Sequence, residues 1–169
     1  NQDVLTRHGS GYRGSHGEDL INFQDTWSQV LHMISDQDGS VYMIDWYDQN
    51  QCHHNQFDGH DRSNGRIFKV VYNNEPVTRI DLAKLSDLEL VRLQNHPNVW
   101  HQGHSRRILQ ERAATGRIGR DAIRFLNDSL DGATGQTALR LMWTAHAIGQ
   151  LDDLALIGLT EHDDDIVRG

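Results

Sequence analysis

With 169 residues and a formal net charge of -8, histidines counted neutral, the chain is long enough for one ordinary domain or two small ones. Its acid excess speaks against a nucleic-acid-binding surface, which needs a basic excess. No apolar run approaches the roughly 20 residues that a bilayer span demands, and the single cysteine, Cys52, cannot close an intramolecular disulfide.

Asn1 to Thr26 is rich in Gly, Ser, His and Asp, with Gly9, Gly11, Gly14 and Gly17 closely spaced, and reads as irregular loop. Trp27 to Ser35 alternates imperfectly and is a strand candidate. The stretch from Asp36 to Tyr72 is the best-defined part of the first half. Val41-Tyr42-Met43-Ile44 is apolar at every position, so that strand is expected to be covered on both sides. Arg66 to Tyr72 reads the same way. Asp38-Gly39 and Asn64-Gly65 are turn signals ahead of the two strands. Between them lies a polar loop, Tyr47 to Gly65, too long for a tight hairpin; loops of that length are usually functional or disordered. The three strands together predict an antiparallel meander, which with apolar faces on both sides is what one blade of a β-propeller looks like.

At Asn73-Asn74-Glu75-Pro76 the pattern changes, because Pro76 removes a backbone donor and the asparagines favour a turn. The expected division is therefore a sheet part over 1–76 and a helical part over 77–169, an α+β chain. Ser86-Asp87-Leu88-Glu89 has capping-box spacing, and Pro97 should end that helix near Asn95-His96. Asn98 caps a second helix running to about Thr115, with Gly116 just past its end. Further helices are expected over roughly Gly119–Leu130, Thr134–Ile148 and Asp152–His162, the fourth closed by Gly149. Short helices this closely connected pack antiparallel and stack in pairs. The segment from Asn95 to Val99 has a weak echo in Glu161 to Arg168, where another helix begins.

DGSVYMIDWYD, CHH, HDRSNGRIFKVVY and DLAKLSDLELVRLQNHPNVWHQGHSRRILQERAA together resemble the large membrane-bound dehydrogenase family of bacteria, also called PVC-type haem-binding proteins. The resemblance runs from about Arg7 onward and is most specific between Asp36 and Arg112. It implies a longer parent chain: a β-propeller related to the quinoprotein glucose and sorbosone dehydrogenases, then HEAT-like helical repeats, then a cytochrome-c-like domain. This chain would hold the end of the propeller and the first repeats. The parent would lie in the periplasm or at the membrane, oxidise a sugar or alcohol, and use pyrroloquinoline quinone with electron transfer to haem c in a haem domain of the same chain. The turn Asp36-Gln37-Asp38-Gly39 departs from the Gly-Pro-Asp-Gly common in related propellers.

The loop gathers Asp48, Cys52, His53, His54, Asp58, His60 and Asp61, all metal-ligand types. Adjacent His53 and His54 do not readily face one ion, and no Cys-x-x-Cys or His-x-x-x-His spacing is present, so a loop ordered by its own hydrogen bonds is the favoured reading; Cys52, His53 and His60 are the weak metal candidates. Covalent haem attachment needs Cys-x-x-Cys-His, which one cysteine cannot supply. Asp61, Arg62 and Arg66 bracket Ser63-Asn64-Gly65 and can tie the loop closed by charge-assisted hydrogen bonds, or aim an arginine at an anionic or quinone oxygen. Asp45, between Ile44 and Trp46, is expensive to desolvate unless paired; it is either locked to Arg62 or Arg66 or lies at the strand's exposed end. In a propeller the loop would border the substrate face, which makes Asp45, Asp48, His53, His54, Asp61, Arg62 and Arg66 its candidate residues. On the helices, Trp100, His101, His104, Arg106 and Arg107 read as a core tryptophan beside a solvated charged face, and His146 as a packing histidine.

Two classes of function stay open: an oxidoreductase parent whose excerpt here is inactive by itself, and an interaction or scaffolding module that has no chemistry. Both folds serve as platforms, so fold analogy does not separate them.

Overall fold

The structure, a computed structural model, describes residues 2–50, 59–73 and 79–169. It is an α+β chain with two antiparallel sheets, and it divides into a sheet unit, residues 18–79, and a helical unit, residues 2–17 with 80–169.

In the sheet unit, β3 (Val30–Ser35), β4 (Val41–Asp45) and β5 (Arg66–Val70) form the expected meander in the order β3-β4-β5. The Asp38-Gly39 turn forms with Gly39 at φ 81°, the left-handed conformation glycine adopts without strain. The Asp38 carboxylate caps Ser40 N at 2.9 Å and reaches Lys69 Nζ on β5, also at 2.9 Å. Register places Met43 opposite Met33 and Phe68, and Asp45 opposite Arg66. The ring of Phe23 packs 5.1 Å from that of Phe68, so the 22–28 segment covers the β4–β5 part of this face, where Met43 and Asp45 are both 4% exposed; Met33 on β3 stays 61% exposed.

The other face departs from the expectation that the strands are covered on both sides. Ile44 and Ile67 are cross-strand partners, and with Ile34 they are 47%, 73% and 55% exposed. Alternation sends every second side chain away from the covered face, and the described residues place nothing over this one.

Residues 2–17 correct the irregular-loop reading. They form a hairpin of β1 (Asp3–His8) and β2 (Gly11–His16), turned at Gly9-Ser10 with Gly9 at φ 61°. It belongs with the helices: Arg7 pairs with the carboxylates of Asp164 and Asp165.

The helices are α1 (Asp87–Arg92), α2 (Val99–Ala114), α3 (Arg120–Leu130), α4 (Gly135–Ala147), α5 (Asp153–Thr160) and α6 (Asp165–Arg168). Local sequence sets their ends. Ser86 and Glu89 make the reciprocal capping box, Ser86 N donating to Glu89 Oε2 at 2.8 Å. α1 stops at Arg92 and passes into a 3-10 turn, Leu93–Asn95, ahead of Pro97. Gly116 and Gly149, at φ 66° and 72°, close α2 and α4; Arg117 N donates to Arg112 O and Gln150 N to Ala145 O, the six-to-one bonds of a Schellman motif.

The helices come in pairs. The first members start at Asp87, Arg120 and Asp153, an interval of 33 each time (87 to 120 to 153). α1 packs on α3, while α2 packs on α4 and α4 on α6. The echo between the 95–99 and 161–168 segments is structural as well. Asn98 N donates to His96 Nδ1 and Asp164 N to His162 Nδ1; Asn98 and Asp164 then cap Trp100 N and Ile166 N. Leu90, Val91, Leu109, Ala122, Leu126, Leu141 and Ala145 form the buried core. Burying each of its leucines contributes about 1.5–3 kcal/mol.

Candidate functional site

The candidate residues of the sheet unit sort into two carboxylate-centred networks. Asp45 ends β4 with its side chain sealed from solvent. Arg66 opposite donates from Nε to Asp45 Oδ2 at 2.7 Å, and Oδ1 accepts from Gln29 N at 2.5 Å and Ser28 Oγ at 3.1 Å. Of the two alternatives for Asp45, the lock to Arg66 is the one that forms. The guanidinium also donates from Nη1 to Asp25 Oδ2 at 3.0 Å and lies 4.0 Å from the centre of the Tyr47 ring. Desolvation works against the charged Arg66, but the hydrogen bonds to Asp45 and Asp25 outweigh it and hold its pKa above the usual value. Asp25 lies below the usual carboxylate range, mainly through the Trp27 backbone N–H, with Arg66 adding to it.

Asp48, 1% exposed, organises the loop. Its Oδ1 accepts from Asn50 N at 2.9 Å; Oδ2 accepts from Asp61 N at 3.0 Å and meets His60 Nδ1 at 3.3 Å. The Asn50 backbone N–H is the largest influence holding its pKa down, against the opposing effect of burial. Gln29 Nε2 donates to the carbonyls of Asp48 and Asn50, and Asn50 Nδ2 donates to Gly59 O, so the two ends of the loop are held together. Asp61 orders the turn before β5 by accepting from Ser63 N at 2.9 Å and Asn64 Nδ2 at 2.9 Å; the Ser63 hydroxyl is the main cause of its lowered pKa. The turn is thus closed by Asp61 with uncharged donors. Arg66 is directed to Asp45 and Asp25, and Arg62 is exposed.

Cys52, His53, His54 and Asp58 lie outside the described residues. Among the described residues no group of three or more His, Cys, Asp or Glu is arranged to hold a metal ion. Arg66 Nε and Nη1 are held by carboxylates and its Nη2 is buried with no hydrogen-bond partner among the described residues, while Asp45 and Asp48 accept from several donors each. Beside this network Phe23, Asp25, Trp27 and Tyr47 line an open depression, with the Trp27 and Tyr47 rings 5.7 Å apart.

On the helices the expected solvated face is only partly solvated. Trp100 is half-buried and packs 4.2 Å from His104, while His101 is 8% exposed and lies 4.1 Å from His96. Arg107 stays outside, 3.5 Å from Glu111. Arg112 turns in to Asp87 at 2.6 Å, whose other oxygen accepts from Gly119 N and fastens α3 to α1. His146, expected to pack, is exposed in the last turn of α4.

Arg106 is drawn inward, and sequence reading missed the polar seam that receives it. Gln94 and Ser105, both 0% exposed, are joined by a 2.8 Å hydrogen bond. Gln94 Oε1 accepts from Arg106 Nη2 at 3.1 Å, and Thr144 Oγ1 accepts from Arg106 Nε at 3.3 Å. The sequence around Gln94, Leu93-Gln94-Asn95, carries no mark of its burial.

No described helix is long and apolar enough to cross a membrane. Comparison with family models, curated proteins and solved structures gave no match for this chain.

Proposed function

We propose that the chain is a segment of a periplasmic or membrane-associated bacterial oxidoreductase of the family it resembles. The sheet unit stands as the end of a β-propeller and the helical unit as HEAT-like repeats. The parent oxidises a sugar or alcohol and passes electrons to a haem domain of the same chain; the segment alone is inactive. The observation that carries this reading is the open apolar face of Ile34, Ile44 and Ile67 on a three-stranded meander. Such a face is what one blade offers its neighbour, since packed sheets bury their inner faces against each other. The 33-residue interval between helix pairs supports the repeat half of the reading.

Within that parent the loop acts as a wall of the ligand face. Its buried carboxylates are saturated with donors, so they shape the face and leave proton abstraction to residues elsewhere. The test is to read the open reading frame on both sides of this segment, then assay the full polypeptide, loaded with haem and pyrroloquinoline quinone, for dye-linked oxidation of sugars and alcohols. Turnover is expected, lowered by Asp45→Asn or by joint His53→Ala and His54→Ala, and nearly unchanged by His104→Ala or Arg107→Ala. A folded, loaded polypeptide that oxidises none of them would contradict the proposal. It would favour the second reading, an interaction module without catalysis, to which the saturated Asp45 and Asp48 already lend weight.

A further inference from the structure

Arg66, Arg106, Arg112 and Arg140 are the half-buried arginines among the described residues. Arg66 and Arg112 each hold a carboxylate within 3 Å. Arg106 and Arg140 hold none among the described residues, in a chain with 24 acidic residues against 16 basic ones. A partly desolvated cation normally acquires a counter-charge, and two like charges side by side raise the need.

Their arrangement is fixed in advance. Arg106 on α2 is pinned by Gln94 Oε1 and Thr144 Oγ1, and its guanidinium stands 5.3 Å from the centre of the Trp143 ring. Arg140, one turn before Trp143 on α4, donates only from Nη2, to Gln136 Oε1 at 3.2 Å. Arg106 Nη1 and Arg140 Nε and Nη1 therefore have donors without an acceptor among the described residues. Burial, then the neighbouring Arg140 charge, holds the Arg106 pKa below its usual value. Arg140 and Trp143 border a cavity of about 550 Å³ whose apolar walls include Tyr12 of the hairpin, Val99, Leu139 and Ile166. Asp164 and Asp165, close in sequence to the Ile166 wall, are engaged elsewhere: Asp164 is held by Gly135 N, Ile166 N and Arg7, and Asp165 by Arg7.

We propose that this groove between α2 and α4 binds a dianionic organic oxyanion, a phosphate monoester or a dicarboxylate, with Arg140 on the anion, Arg106 adding its charge from beside Trp143, and Trp143 and the apolar walls on its organic body. A guanidinium at the head group with a second cation beside it suits a doubly charged, multi-oxygen anion, and the cavity size is that of a small-molecule site. The site stands on the helical unit alone and does not depend on the oxidoreductase reading.

The test is calorimetric titration of the 169-residue chain at low ionic strength with phenyl phosphate, phenylsuccinate and inorganic phosphate. At least one organic probe should bind saturably, more tightly than inorganic phosphate and less tightly as salt is added; the tighter of the two identifies the head group. Arg106→Gln and Arg140→Gln should each weaken it by about tenfold or more, with an unchanged helix signal, while the exposed Arg107→Gln binds as wild type. Should Arg106→Gln fail to fold, Arg140→Gln, whose side chain bonds only to Gln136, still decides. Absence of saturable binding at millimolar concentrations of both organic probes, wild-type affinity in Arg140→Gln, or inorganic phosphate binding as tightly as both organic probes would overturn the proposal.

Discussion

The two units are stabilised in opposite ways. The helical unit buries leucine, valine and alanine in a continuous core, with the Gln94, Ser105 and Thr144 seam beside it, and leaves most of its arginines and acids near water. In the sheet unit Met43 is the buried apolar side chain, while Asp45, Asp48 and Ser40 are buried with it, and isoleucines stand in solvent on the outer face. Apolar burial is additive and tolerant of imperfect geometry; a buried carboxylate stabilises only while its donors stay in place. The helical unit should therefore persist alone, and the sheet unit should depend on a few polar contacts and on whatever covers its isoleucines.

Changes aimed at each unit sharpen that contrast. Leu126, 0% exposed at the centre of the helical core, should give the largest loss: Leu126→Ala is expected to cost about 2–5 kcal/mol, read from urea unfolding followed by helix ellipticity. Arg66→Met should strip Asp45 and Asp25 of their cation and abolish the near-ultraviolet signal of Trp27 and Tyr47. Helix ellipticity should stay unchanged, and its loss in parallel would break the division into units.

Acid should separate the units next. Asp25, Asp48 and Asp61 all have lowered folded pKa values. Their contribution is present above the ordinary aspartate value, about 3.9, and is lost as pH falls through the lowered folded values. The aromatic near-ultraviolet signal should thus decay below about pH 4 before the helix signal does, and Asp48→Asn should flatten that decay. The smallest effect is local: Ser86→Ala removes one half of the capping box and should cost about 1 kcal/mol, measured in the same urea titration.

Legibility in the sequence followed the range of the interaction. Ser86, Asn98, Gly116 and Gly149 mark helix ends through bonds spanning only a few residues, and all four appear where sequence places them. The 2–17 hairpin was hidden because Gly11 and Gly14 lie inside β2, where glycine is read as loop; the signal was the two-residue Gly9-Ser10 turn. The pairing of Asp45 with Arg66 was accessible because the two stand directly opposite in a hairpin register. Its other partners, Asp25, Ser28 and Gln29, come from a segment whose path across the sheet has no local signature. Arg106, Arg107 and Arg112 are close together on one helix, yet each has a different fate. How α2 is rotated against α1 and α4 decides it, and spacing within one helix does not carry that information.

The central claim, that a self-sufficient helical core accompanies a sheet held by polar contacts, is tested most directly by hydrogen exchange on the intact chain, resolved by residue. The account predicts that amides in α2, α3 and α4, such as those of Leu109, Leu126 and Leu141, exchange only through global unfolding. Those of Ile44 and Phe68 should exchange through a separate, lower-energy opening that Arg66→Met makes easier still. Equal protection of the β4–β5 ladder and the α2–α4 core, lost together in that variant, would contradict it.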